Sequence, residues 1–130
     1  MQIAVFTLGK EKYALETKYI HGIEKMMTIT KVPNAPYYIK GLANLRGSII
    51  TIIDLKALLN IKANSEEENI IIVNIDDNSA GFIVDYVEEV LEVKDSMIEQ
   101  VDTSNKFIKG VINLNDYIVT LLEGEKLLNN

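Results

Sequence analysis

Apolar residues in this chain gather in short runs, each closed off by glycine, proline, asparagine or aspartate. Gln2–Leu8 and Lys12–Leu15 flank Gly9-Lys10-Glu11 and predict a hairpin. Lys40–Leu45 and Ser48–Ile53 flank Arg46-Gly47, and a two-residue connection with glycine second suits a type I′ turn. Ile70–Ile75 and Gly81–Asp85, separated by Asp76–Ser79, predict a third hairpin. Tyr86–Val93 alternates imperfectly, and Tyr19–Met27 fits helix and strand periods equally. Lys31–Pro36 holds both prolines and predicts a corner, because proline removes a donor and fixes φ. Asp54 is placed to cap a short helix over Leu55–Leu59, with Gly124 and Glu125–Leu128 as a counterpart. Lys62–Asn69 and Asp102–Lys106 read as polar loops. The total, about nine or ten short strands and two or three very short helices, predicts paired small barrels.

The pattern also repeats. Residues 38–60 align without a gap on residues 107–129, and Ile39, Lys40, Gly41, Asn44, Leu45, Ile49, Thr51, Leu58, Leu59 and Asn60 all recur. Two copies are too few for a solenoid, so the chain reads as two related units packed together. Units of about 60 residues are marginal alone, which predicts a shared core. Gly41 and Gly110 hold equal positions inside strand-like runs. Glycine there is unfavourable unless a bulge or a close backbone approach requires it. The places where the copies differ then matter most: Arg46-Gly47 becomes Asn115-Asp116, and Arg46 is the only arginine in the chain.

Composition narrows the function. The 130 residues are 48% hydrophobic and 25% charged, with a net charge of −6, an ordinary profile for a water-soluble protein. An acidic chain with a single arginine is poorly equipped to neutralise phosphates, so neither nucleic acid nor an anionic membrane is an expected partner. The apolar runs fall far short of the roughly 20 residues needed to span a bilayer, and the N-terminus lacks signal-peptide features. The absence of cysteine rules out disulfides and thiolate metal sites, which suits a cytoplasmic protein.

Catalysis has little support. His21 is the only histidine, and Ile20, Gly22 and Ile23 beside it offer no orienting partner. No serine lies in a nucleophile-elbow motif, and neither a metal site nor a phosphate cradle is spelled out. No catalytic residue, metal or cofactor is therefore expected. Asp85, Glu88, Glu89 and Glu92 read as a solvated strand edge that resists aggregation. Arg46 on its turn is either a binding contact or a plain surface cation, and spacing leaves both open.

Val32-Pro33-Asn34-Ala35-Pro36, Ile39-Lys40-Gly41-Leu42, Asn44-Leu45-Arg46-Gly47, Ile49, Ile52 and Asp54-Leu55 together resemble the signature of the CheW family of chemotaxis coupling proteins. Gly81-Phe82-Ile83-Val84-Asp85-x-Val87 and Phe107-Ile108-x-Gly110-Val111 resemble its later segments, so the likeness spans nearly the whole chain. The resemblance implies a mainly β protein of two intertwined five-stranded SH3-like barrels with two or three short helices. It also implies one CheW-like domain over residues 1–130. It further implies a non-enzymatic adaptor that joins the cytoplasmic tip of chemoreceptors to the regulatory domain of the histidine kinase CheA. Such a protein would be cytoplasmic and recruited to membrane receptor arrays. By the same resemblance Ile20, Ile23, Gly41, Asn44 and Arg46 belong to the receptor side, and Gly47 to the kinase side. His21-Gly22 departs from the Gln-Glu pair of the family. Either the receptor differs to match, or Glu24 supplies the missing carboxylate from a neighbouring position. A small ligand-binding regulatory barrel and a coupling protein of a related motility pathway are the alternatives.

Overall fold

Inward and outward residues alternate along strands whose pairing order departs from their order in the chain. The protein is described here over residues 1–129 of a computed structural model. Its first strands are β1 (Gln2–Leu8), β2 (Glu11–Glu16) and β3 (Ile20–Lys25), and then come β4 (Ile39–Leu45) and β5 (Ser48–Asp54). After the helical turn α1 (Leu55–Leu58) follow β6 (Asn69–Ile75), β7 (Asn78–Val84) and β8 (Tyr86–Glu92). Last come β9 (Ile98–Glu99), β10 (Ile108–Asn113), β11 (Ile118–Leu122) and α2 (Gly124–Leu128). The middle of the chain builds one sheet, in the order β3-β6-β7-β5-β4. The two ends of the chain build the other, β8-β1-β2-β11-β10-β9. The intertwining is therefore literal: the first hairpin belongs to the barrel completed by the last strands. The sixth strand of the second sheet is the two-residue β9, too short to leave a periodic trace in the sequence.

The repeat maps onto equivalent places. In each copy a hairpin (β4–β5 or β10–β11) leads into a short helix, and its second strand pairs in parallel with a strand of another hairpin: β5 with β7, β11 with β2. Each sheet also closes in the same way. Beyond β3 the chain reaches Thr30, which exchanges two backbone hydrogen bonds of 2.8 Å with Leu42 on β4. Beyond β8 it reaches β9, which pairs with Val111 and Ile112 on β10. The recurring glycines face these closures. A Cβ on Gly41 would fall on the Thr30 carbonyl oxygen, and one on Gly110 would lie 2.7 Å from that of Glu99. A register shift follows both Ile39 and Ile108, so bulge and close approach occur together.

Bulges also account for the unclear periods. β3 shifts register between Ile20 and Gly22, and β8 gains one residue, Glu88, opposite the Val5–Phe6 step of β1. The turn expected over Asp76–Ser79 is narrower: Asp76 and Asp77 alone connect β6 to β7, both left-handed at φ 50° and 67°. Asp54 caps α1 as expected, its carboxylate accepting the Ala57 N–H at 3.2 Å.

Packing forms three clusters. Val5, Ile112 and Leu121 fill the barrel built from the chain ends, and Ile52, Ile70 and Ile83 fill the central one. The largest cluster lies between them, joining Phe6, Leu8 and Leu15 to Leu55, Phe82 and Leu127. Each such buried side chain contributes roughly 1.5–3 kcal/mol, so this joint cluster supplies what neither small barrel holds alone.

Candidate functional site

The turn between β4 and β5 is two residues long, with Arg46 at φ 51° and Gly47 at φ 88°. Left-handed backbone at both positions is the type I′ geometry expected from the sequence. Asn44 fixes it, its side-chain oxygen accepting the Gly47 N–H at 2.9 Å. Such a turn throws Arg46 outward. Its side chain is 74% exposed, and Nη2 lies 3.3 Å from Oε2 of Glu24, which is only 22% exposed.

Glu24 stands near the end of β3, opposite Ile70 on β6. Its carbonyl accepts the Asn69 side-chain N–H at 3.3 Å, while the oxygen of the same amide accepts Val87 N–H at 3.0 Å. One asparagine thus ties the edge strand of the central barrel to β8, the edge strand of the other. The boundary between the barrels therefore runs beside the Arg46 turn.

Adjoining the turn through Asn44 and Ile49 lies an open groove of about 570 Å³, lined also by Met27, Thr28, Thr30, Leu42 and Ala43. Ile49, 73% exposed, stands at its rim. A lone exposed isoleucine would be ordinary, but Ile49 is continuous with Met27, Leu42 and Ala43 of the groove, and a contiguous apolar patch suits a docking surface. Sequence reasoning passed over Ile49 as part of an apolar run. The signal was present: Ile50 and Ile52 point inward on β5, so period two sends Ile49 outward. Its repeat partner Ile118 is exposed too.

Of the expected receptor-side residues, Ile23 is 42% exposed beside Glu24 on β3, whereas Ile20 is half-buried against the joint core. Gly41 is buried beneath Ile29 and Thr30. Asn44 and Arg46 share the turn. Gly47 is exposed, with nothing within 4 Å of where its Cβ would stand. The structure therefore brings Asn44, Arg46 and Gly47 together on one turn beside Glu24, sends Ile23 to the opposite face of β3, and leaves Ile20 and Gly41 beneath.

The equivalent end of the other barrel also carries an open groove, of about 460 Å³, but it is lined largely by polar residues such as Lys12, Asn113 and Asp116. Lys12 pairs with Glu88 and lies 4.8 Å from the centre of the Tyr117 ring. The Tyr117 hydroxyl donates to Glu89 at 2.7 Å, and that bond, with burial, pushes the phenol up to about 12. The two copies have thus diverged, one groove lined mainly by apolar groups, the other by charged and amide side chains.

The acidic stretch needs one correction. Glu88, Glu89 and Glu92 lie along the outer strand, but Asp85 is 5% exposed and belongs to the interior. Its carboxylate lies 2.8 Å from the Lys56 ammonium and accepts hydrogen bonds from Ser65 and from Gly9 N–H. Burial pushes the Asp85 carboxyl up, but the Lys56, Ser65 and Gly9 contacts outweigh it and hold it below the usual aspartate value. This node joins α1, the loop before β6 and the β1–β2 turn. It is a fastening between barrels, and Lys56 was invisible as its partner because it lies far away in sequence.

No helix among the described residues is long and apolar enough to cross a membrane. A family model described as the CheW-like domain matches residues 2–130. The chemotaxis protein CheW of Helicobacter pylori is 31% identical over 134 residues, covering 98% of this chain and 81% of its own length. That of Klebsiella aerogenes is 31% identical over 136 residues, covering 99% and 82%. The crystal structure of the scaffolding protein TtCheW from Thermoanaerobacter tengcongensis matches with a TM-score of 0.87 at 35% identity, over 94% of this chain and 83% of that one.

Proposed function

This chain belongs to the CheW-like family of chemotaxis coupling adaptors, and we propose that it joins the cytoplasmic tip of a chemoreceptor to the regulatory domain of the histidine kinase CheA. It does so by holding both partners and performs no covalent chemistry. The observation that carries this reading is the Arg46–Gly47 turn, which stands between two different surfaces. On one side is the Arg46–Glu24 pair, next to the boundary between barrels, with Ile23 exposed on the other face of the same edge strand. On the other is the apolar groove rimmed by Ile49.

The first surface suits an amphipathic receptor helix, whose apolar face would cover Ile23 while a carboxylate or carbonyl meets the Arg46 guanidinium. Asn44 contributes by holding the turn, and Ile20 and Gly41 by shaping the strands below. The second surface, starting at Gly47, suits an apolar edge of the kinase. Each contact can be modest in affinity, because tethering in an array raises local concentration. The adaptor itself would stay cytoplasmic and reach the membrane only through its partners. A small-ligand regulatory barrel would need an enclosed apolar chamber, whereas both barrel interiors are filled by Ile52, Ile70, Ile112 and their neighbours.

The test is calorimetric titration with a chemoreceptor tip fragment. Arg46→Ala is expected to cost about 2 kcal/mol or more of binding free energy, with circular dichroism unchanged. Unchanged affinity would remove Arg46, and with it this receptor surface.

A further inference from the structure

Resting on the receptor reading above, we infer that Asn69 is a positioning residue: it sets the separation of β3 and β8, and with it the fit of the receptor helix at the boundary between barrels. β3 and β8 are end strands of two different sheets, so no ladder fixes their spacing. Four of the eight large apolar side chains that stand exposed among the described residues, Ile23, Met26, Tyr86 and Val90, lie on or just beyond these strands. The joint core holds the barrels at their centre, and something else must hold them at the surface.

Two residues at the entry to β6 do this. Glu68 uses its backbone: its carbonyl accepts the Met26 N–H at 3.2 Å, and its N–H donates to the Asp85 carbonyl at 2.8 Å. Asn69 uses its side chain, donating to the Glu24 carbonyl at 3.3 Å and accepting the Val87 N–H at 3.0 Å. Its backbone is meanwhile held in register with Lys25 on β3. A primary amide carries donor and acceptor on one planar group, so it can serve a carbonyl on one strand and an N–H on the other. A carboxylate only accepts, and an aliphatic side chain does neither. The Glu68 rung survives any substitution that keeps its N–H, whereas the Asn69 rung depends on the identity of its residue. Walls already held at their working separation lose less freedom when a helix docks.

The experiment compares Asn69→Leu and Asn69→Ala with the parent, all as full chains. Both variants remove the amide, and leucine keeps roughly its volume. The chain contains no cysteine, so Lys25→Cys and Glu92→Cys, at exposed positions on β3 and β8, place spin labels on the two strands alone. The distance distribution between the labels is expected to be narrow in the parent and broad in both variants. Calorimetric titration with a chemoreceptor tip fragment from the same organism should show affinity weakened about threefold to tenfold, the range spanned by one neutral hydrogen bond. Affinity for the CheA regulatory domain should stay at the parental value. An unchanged distance distribution overturns the inference. So does an equal loss of both affinities, which is what a merely structural asparagine would give. Parental receptor affinity in both variants overturns it as well. In that event Arg46→Ala decides the rest: if it weakens receptor binding in the same assay, the receptor reading stands without Asn69, and if it binds normally, both fall.

Discussion

Gly41→Ala separates a residue that touches a partner from one that shapes the surface. The new methyl would strike the Thr30 carbonyl oxygen and come within 2.8 Å of Ile29 Cγ2. Neither neighbour can step aside cheaply, since Thr30 is held to Leu42 by two backbone hydrogen bonds of 2.8 Å. Overpacking costs about 1–3 kcal/mol, and loosening two such bonds adds about 1 kcal/mol each. The sum is about 3 kcal/mol or more. Gly47→Ala is the control. It is also left-handed, at φ 88°, but its Cβ would meet nothing within 4 Å, so only backbone strain of about 1 kcal/mol applies. Urea unfolding followed by circular dichroism reads the difference. With a slope of about 2 kcal/mol/M, the midpoint should drop by about 1.5 M for Gly41→Ala and about 0.5 M for Gly47→Ala. Equal midpoints for the two variants would refute the close-approach argument and return Gly41 to the list of surface contacts. The wall made by Met27, Thr28 and Thr30 moves with Gly41, so loss of partner binding in that variant should track its loss of stability.

Two further outcomes are expected. Asp85→Asn leaves the Lys56 ammonium with the Glu67 carboxylate, 3.5 Å away, as its remaining counter-charge and should cost about 1–3 kcal/mol in thermal or urea unfolding. The folded-state value of Asp85 is depressed, so its stabilisation is complete above the ordinary aspartate value of about 4 and is lost as pH falls through the lower folded value. The variant should therefore lose less stability than the parent over that acid range, and parallel acid-unfolding curves would contradict the assignment. Ile49→Ser, at a largely exposed position, should change stability by less than about 0.5 kcal/mol yet weaken capture of the CheA regulatory domain by about 2 kcal/mol. Normal capture would move the kinase surface elsewhere.

The duplicated hairpins, their turns and the Asp54 cap were legible in the sequence, because each is set by local residue chemistry. Gly41 and Gly110 were legible as sites of close approach, although the backbone each one faces was not. β3 stayed ambiguous for a physical reason: the bulge after Ile20 breaks the period that would have identified it. Which strands pair across the chain was illegible, since a hydrophobic pattern states which face is buried and not what covers it. At the candidate site Arg46 stood out by being unique. Ile49 was hidden in an apolar run, and Asp85 was misread because local composition around it is acidic while its partner lies elsewhere.

Lys12 on β2 lies in register with Val119 on β11, and this pairing sets the order in which the polypeptide can mature. The central sheet is drawn from one continuous stretch and can complete itself as soon as β7 leaves the ribosome. The opening hairpin must wait, with one flank of β2 unpaired, until β11 has been synthesised. Pairings of such sequence separation are slow to form, and an uncovered strand flank invites association with other chains in the interval. A cut between the two repeats would therefore release no working half.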